Sequence, residues 1–170
     1  RQAKTTLHAG CGWHRNDITR PYRASSRIIG VDLDARVATR FHSEFRRCSL
    51  DSLPYADATF DLVVSEYVWA HLADPDGVFR EIARVLKPNG RLIVLTPSKW
   101  SYKGLGAWLL PFRFHIWMGN IRYGKGHDPD MYPTRYRCNT QNEFRALSGR
   151  HGFATESVDY ITNGPTWFER

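Results

Sequence analysis

Apolar runs alternate with amphipathic stretches along this chain, the period switching between two and 3.6. That alternation predicts parallel strands wrapped by helices. Thr5–Ala9 reads as the first strand, and residues 13–24 as a short helix limited by Pro21. Arg27–Val31 is the second strand. Over Ala35–Phe45 the positions Val37, Ala38, Phe41 and Phe45 share one helical face. A third strand is faint, near Cys48–Leu50. Phe60–Ser65 (FDLVVS) has the unbroken apolar character of a buried central strand. Asp74-Pro75 then opens a helix, with Asp74 as N-cap and Pro75 at the first helical position. Its stripe is Val78, Phe79, Ile82 and Leu86, and Lys87-Pro88-Asn89-Gly90 stops it. Arg91–Thr96 (RLIVLT) is the next strand. A capping box, Thr140-x-x-Glu143, opens a late helix with Phe144 and Leu147 inward. Gly152 ends that helix, and Phe153–Ile161 predicts a further strand.

Residues 97–138 break this rhythm. They are rich in Gly and Pro and hold nine of the 23 aromatics: Trp100, Tyr102, Trp108, Phe112, Phe114, Trp117, Tyr123, Tyr132 and Tyr136. So long a stretch without clean periodicity is usually functional. It predicts an acceptor-side insertion over the mouth of the sheet, within a single domain spanning 1–170.

At 170 residues the chain is long enough to bury a real core, and its 42% hydrophobic content argues against disorder. No apolar run approaches a membrane span. The chain opens Arg1-Gln2-Ala3-Lys4 directly before a strand, the look of a fragment and not of a targeting peptide. Cys11, Cys48 and Cys138 lie far apart, which speaks against a disulfide framework or a zinc site and for a reducing, cytoplasmic setting. The net charge of +7 is unevenly spread: +6 over 1–47, −3 over 48–96, +5 over 97–138 and −1 over 139–170. The two basic blocks suit an acidic substrate, nucleic acid or an anionic membrane as well as they suit a solvated basic face.

The chemistry concentrates where Leu7-His8-Ala9-Gly10-Cys11-Gly12 meets Ile28-Ile29-Gly30-Val31-Asp32. A strand enters a glycine turn, and an acid closes the following strand. Glycines there let the backbone come close to a ligand, and an acid so placed can accept from ribose hydroxyls. The third glycine of a pyrophosphate-binding G-x-G-x-x-G is missing, since Trp13, His14 and Arg15 follow Gly12. A nucleoside ligand without phosphates asks less of that helix start.

Two further segments are more specific. Asp51-Ser52-Leu53-Pro54-Tyr55-Ala56-Asp57-Ala58-Thr59-Phe60-Asp61 resembles the D-x-L-P-F/Y-x-D-x-S/T-F-D signature of class I S-adenosylmethionine-dependent methyltransferases (methyltransferase type 11-like). Phe79-Arg80-Glu81-Ile82-Ala83-Arg84-Val85-Leu86-Lys87-Pro88-Asn89-Gly90 is similar to the same family's F-x-E-x-x-R-V-L-K-P-G-G. The resemblance covers roughly residues 5–96. It implies an α/β, Rossmann-like sheet with helices on both faces, here short of the usual elements at both ends and carrying the aromatic-rich insertion.

The resemblance also implies a cofactor, S-adenosyl-L-methionine, and roles for its neighbours. Gly10, Cys11 and Gly12 would pass beneath its methionine portion. Asp32 would hold the ribose hydroxyls, with Leu33 lining the adenine. Asp51 would accept from the adenine amino group, beside Ser52 and Leu53. Ser65, Glu66 and Tyr67 would border the methionine end and the methyl group. The chain departs from the family at His8, where an acid is usual, and at His14, where a glycine or small residue is usual. His8 still offers a polar contact to the cofactor.

Methyl transfer from a sulfonium is an in-line displacement, so the protein aligns the acceptor and removes a proton where there is one. No metal is expected. Candidate bases are His71 first, then His127 in Gly126-His127-Asp128-Pro129, with His115 and Glu66 behind them; Tyr132 and Tyr136 can orient an acceptor hydroxyl. Trp69 and Leu72 are core candidates, as Cys11 is more often packed than nucleophilic. The favoured acceptor is a small molecule or a glycan or lipid precursor. A nucleic-acid (RNA) methyltransferase is the alternative, although Ser65-Glu66-Tyr67-Val68 stands where an Asn-Pro-Pro-Tyr-type motif would be. A non-catalytic module docking on a membrane or partner through 104–118 is the third reading.

Overall fold

A computed structural model describes residues 4–12, 22, 24, 26–35, 44–100 and 133–160. Five parallel strands form one sheet in the order β3-β2-β1-β4-β5. They are β1 (Lys4–Ala9), β2 (Ser26–Asp32), β3 (Glu44–Arg47), β4 (Phe60–Glu66) and β5 (Leu86–Leu95). Helix α1 (Pro75–Val85) connects β4 to β5, and α2 (Gln141–Arg150) follows later. β1 is paired on both sides, with Leu7 opposite Ile29 of β2 and Val63 of β4. Chain order therefore reverses at β1, and the carboxyl ends of β1 and β4 flank the switch point where open parallel sheets hold their ligands.

Local chemistry explains the helices. Asp74 accepts from the Gly77 N–H at 3.1 Å, and Pro75 occupies the first turn. Val78, Phe79, Ile82 and Val85 are buried against the sheet. Each such side chain is worth about 1.5–3 kcal/mol of apolar transfer. The capping box of α2 forms in both directions: Thr140 Oγ1 accepts from the Glu143 N–H at 3.3 Å, and Glu143 accepts from the Thr140 N–H at 3.2 Å. Trp69, Phe79 and Phe144 meet at 4.6–5.2 Å between ring centres and join α1 to α2. Trp69 is fully buried, and Leu72 packs against the same core.

The strands depart from the sequence reading in three places. The third strand is Glu44–Arg47, not Cys48–Leu50; it pairs Ile29 with Glu44 through Asp32 with Arg47, and the last bond, Cys48 N–H to Asp32 O, leads straight into a turn. Phe45 thus belongs to β3 and not to a helix, because the ladder with β2 outweighs its helical spacing. Leu86 likewise leaves α1: it opens β5 opposite Phe60, and the next pair is Leu62 with Arg91. Lys87–Gly90 bulges out of the ladder, with Asn89 in the left-handed region at φ 63°. Phe153–Tyr160 carries no strand, as no described segment supplies its ladder. The expected helices over 13–24 and 35–45 lie almost wholly outside the described residues, as do 101–132 of the expected insertion.

Candidate active site

The carboxyl ends of β1, β2 and β4 carry most of the residues singled out in the sequence. At the end of β1 the chain turns through Gly10 at φ +71° and Gly12 at φ +41°. The N–H groups of Gly10 and Cys11 both donate to Val31 O, at 2.9 and 3.1 Å. This backbone conformation costs a glycine little and other residues about 1–2 kcal/mol. At Gly10 the tight neighbour is the protein itself. A Cβ there would lie 2.1 Å from Val68 Cγ2. The turn rests on the residue just past β4, a contact the sequence reading did not foresee.

Asp32 is locked by the two turns beside it. Its Oδ2 accepts from the Gly12 N–H and its Oδ1 from the Asp34 N–H, both at 2.9 Å. Each oxygen keeps a further lone pair. The carboxylate is half-buried, and Leu33 next to it is 66% exposed, an apolar side chain held at the surface. Arg47 on β3 braces this corner by donating to Leu33 O at 2.9 Å. Cys11 is buried, and burial together with Asp32 pushes its thiol up to about 12. It packs as a small core residue, and a thiol so raised is a poor nucleophile at neutral pH. His8 lies within β1, 5% exposed, opposite Gly30 and Val64.

Asp51 and Ser52 are exposed on the loop after β3, while Leu53 is buried. Two residues of α1 hold this loop. Glu81 Oε2 accepts from the Leu53 N–H at 2.9 Å. Arg84 donates to Leu53 O at 3.0 Å, Tyr55 O at 2.7 Å and Asp57 Oδ1 at 2.8 Å, and is itself held by both Glu81 oxygens. Arg84 keeps the Glu81 carboxyl below its ordinary range. In the sequence this pair stands inside the F-x-E-x-x-R motif, and its i,i+3 spacing on a helix is the signal that the two side chains meet.

At the end of β4, Ser65 and Glu66 are buried, and Ser65 Oγ has no hydrogen-bond partner among the described residues. Tyr67 follows at φ +58°, with its N–H donating to Leu95 O at 2.8 Å. A bulky residue in that region is an outlier, and such strain clusters at functional sites. The next turn receives the segment after residue 132. The N–H groups of Arg135 and Tyr136 both donate to Ala70 O, at 2.6 and 3.1 Å. Arg137 donates to Ala73 O at 2.6 Å. His71 Nδ1 donates to Pro133 O at 3.2 Å, which leaves the ring's lone pair on Nε2 when it is neutral. Tyr136 is buried at φ +46°, and burial raises its hydroxyl's pKa. Asn139, buried, donates to Thr96 Oγ1 at 2.6 Å and Pro97 O at 3.2 Å. So the backbone at Tyr136 is bound beside His71, just past β4. His115, His127 and Tyr132 lie outside the described residues. Among the described residues no three His, Cys, Asp or Glu side chains gather to hold a metal, and no helix is long and apolar enough to cross a membrane.

A parallel sheet that reverses at β1, with a glycine turn, an acid closing β2 and a strained β4 exit at the carboxyl ends of its strands, has the layout of a Rossmann-like sheet with a ligand-holding switch point. Residues 7–94 match the methyltransferase domain family. The chain belongs to that family, the class I S-adenosylmethionine-dependent methyltransferases. It is 32% identical over 123 residues to the ubiquinone/menaquinone biosynthesis C-methyltransferase UbiE of Escherichia coli, an alignment covering 69% of this chain and 47% of that protein. The chain thus spans about half the length of the curated relatives it matches. The fold is shared with the YcgJ protein of Bacillus subtilis (TM-score 0.64, 22% identity, 91% of this chain and 63% of that one). It is shared too with an S-adenosylmethionine dependent methyltransferase of Mesorhizobium loti (TM-score 0.62, 19% identity, 94% and 78%).

Proposed function

We propose that this chain binds S-adenosyl-L-methionine and transfers its methyl group to a small-molecule acceptor, a glycan or lipid precursor among them. The observation that carries the reading is Asp32, fixed by the Gly12 and Asp34 N–H groups at the edge of the switch point with acceptor capacity to spare. The residues fit the cofactor: Asp32 for two ribose hydroxyls, exposed Leu33 for an apolar ring face, and Asp51 for an amino group. Gly10, Cys11 and Gly12, with His8 below, and Ser65, Glu66 and Tyr67 would border its methionine end. When bound, the cofactor would supply a methyl group already activated on a sulfonium.

The chain's own part is alignment and proton removal. The bond to Pro133 O would favour the tautomer of His71 with its proton on Nδ1, so that Nε2 is the nitrogen that would take the proton of an acceptor hydroxyl or acidic carbon. His127 is the second candidate. Tyr136, whose phenol pKa burial raises further, would orient the acceptor by donating to it. The segment 97–138, anchored at both described ends beside β4 and β5, would form the acceptor side of the site. The Escherichia coli relative is named for C-methylation in quinone biosynthesis, which supports a small acceptor over RNA.

Isothermal titration with S-adenosylhomocysteine tests the cofactor. Binding by the wild type, weakened at least about tenfold in Asp32→Ala, is expected. A folded protein that binds neither this nor S-adenosylmethionine overturns the proposal. For the base, His71→Gln should lower kcat by about 10²–10⁴ once an acceptor is in hand, and His127→Gln much less; the opposite ranking moves the role to His127.

A further inference from the structure

We infer that Glu81 and Arg84 are positioning residues that set where Asp51 meets the adenine of the proposed cofactor; this rests on the reading just given. Three backbone groups of one loop are captured by two side chains a single helical turn apart. Glu81 takes the Leu53 N–H, and Arg84 takes the Leu53 and Tyr55 carbonyls. Leu53 is the pivot. Its side chain is in the core, its N–H and C=O are both held from α1, and its carbonyl also receives the Tyr55 N–H at 2.9 Å. Immediately upstream, Ser52 N–H closes a turn onto Ser49 O. Asp51 lies inside that turn, exposed, two residues before the pivot.

The geometry has a chemical reason to use arginine and not lysine. The planar guanidinium serves Glu81, two carbonyls and Asp57 at once from fixed directions. A single ammonium can keep the charge but not that fork. Loss of the fork releases the Leu53 and Tyr55 carbonyls and lets the loop shift by fractions of an ångström. A hydrogen bond from an amino group to Asp51 is sensitive to such shifts, whereas ribose contacts at Asp32, on a different strand, are not.

The test separates positioning from plain stability. Titrate wild type, Arg84→Lys and Glu81→Gln with S-adenosylhomocysteine and with S-inosylhomocysteine, which carries a carbonyl oxygen on C6 in place of the adenine amino group. Follow unfolding of each protein in parallel. Wild type should prefer the adenine ligand. In Arg84→Lys that preference should fall about tenfold, with the inosine ligand little changed, at temperatures where the variant is folded. Glu81→Gln should move it the same way and stands in if Arg84→Lys does not fold. A folded variant of either kind with the full wild-type preference overturns the inference alone. A wild type that binds neither ligand overturns the cofactor reading and this inference with it.

Discussion

Replacing Gly10 with alanine probes the turn at the end of β1. Two separate costs arise. At φ +71° an alanine loses about 1–2 kcal/mol relative to its preferred conformations. Its methyl would also lie 2.1 Å from Val68 Cγ2 and 3.2 Å from Val68 Cβ. Valine is stiff at χ1 and cannot simply swing aside. The turn cannot easily retreat either, because the Gly10 and Cys11 N–H groups are both bound to Val31 O. Overpacking of this kind costs about 1–3 kcal/mol. The two together come to about 2–5 kcal/mol, a large part of a typical domain's 5–15 kcal/mol. Urea unfolding followed by circular dichroism measures it. The decisive comparison is a double-mutant cycle with Val68→Ala, which removes the clashing methyl. Val68→Ala in the Gly10→Ala background should recover the steric share, giving a coupling of about 1–3 kcal/mol and leaving the backbone share in place. Additivity within about 0.5 kcal/mol would refute the contact as the reason for glycine here.

Three further outcomes follow from the geometry. Asp32→Asn places an amide nitrogen where one of the two N–H groups of Gly12 and Asp34 now donates; it should destabilise the fold by about 1–3 kcal/mol in thermal unfolding even without ligand. The Glu81 carboxyl is lowered chiefly by Arg84, and that of Asp61 chiefly by the Thr5 N–H and then Lys87. A lowered carboxylate stabilises the fold above its unfolded value and ceases to as pH falls through its folded value, so stability should decline below about pH 4, and Asp61→Asn should flatten part of that slope in acid titrations of urea midpoints. Cys11 and Cys138 are buried and both pushed up to about 12, whereas Cys48 is half-exposed and less raised; a thiol reagent at pH 8 should modify Cys48 first in the native protein, and rapid loss of all three thiols would contradict the packing.

Where the sequence and the structure agree, the signal is local. The Asp74-Pro75 start of α1 and the Thr140–Glu143 box need only neighbouring residues, and β1, β2 and β4 are buried enough to read as apolar runs. β3 is hidden in the sequence because Glu44-Phe45-Arg46-Arg47 is a short, charged edge strand, half-exposed, whose identity lies in its ladder with β2. Phe153–Tyr160 has strand-like composition without a ladder partner among the described residues. At the site, Gly10 and Asp32 could be picked out by spacing. Val68 behind Gly10 and Arg84 behind Leu53 could not, since each contact joins residues far apart in the chain. The strain at Tyr67 has no sequence signature at all, because tyrosine is an ordinary strand residue until its φ is known.

The bond from the Lys99 N–H to Asn139 O, 3.1 Å long, gives the long stretch between them a common neck. Asn139 tightens it by reaching Thr96 and Pro97 with its side chain. A second tie lies just inside that neck, where the Arg135 and Tyr136 N–H groups bond Ala70 O and Cys138 is buried in the core. Doubling the length of a loop closed in this way adds only about 0.6 kcal/mol of closure entropy. Changes of length between residues 101 and 132 should therefore cost the fold little, whereas changes at 133–138 strike bonds to the turn after β4. That makes 133–138 the fixed part of the stretch: an exchange with a relative should stop short of residue 133 if the turn after β4 is to stay intact.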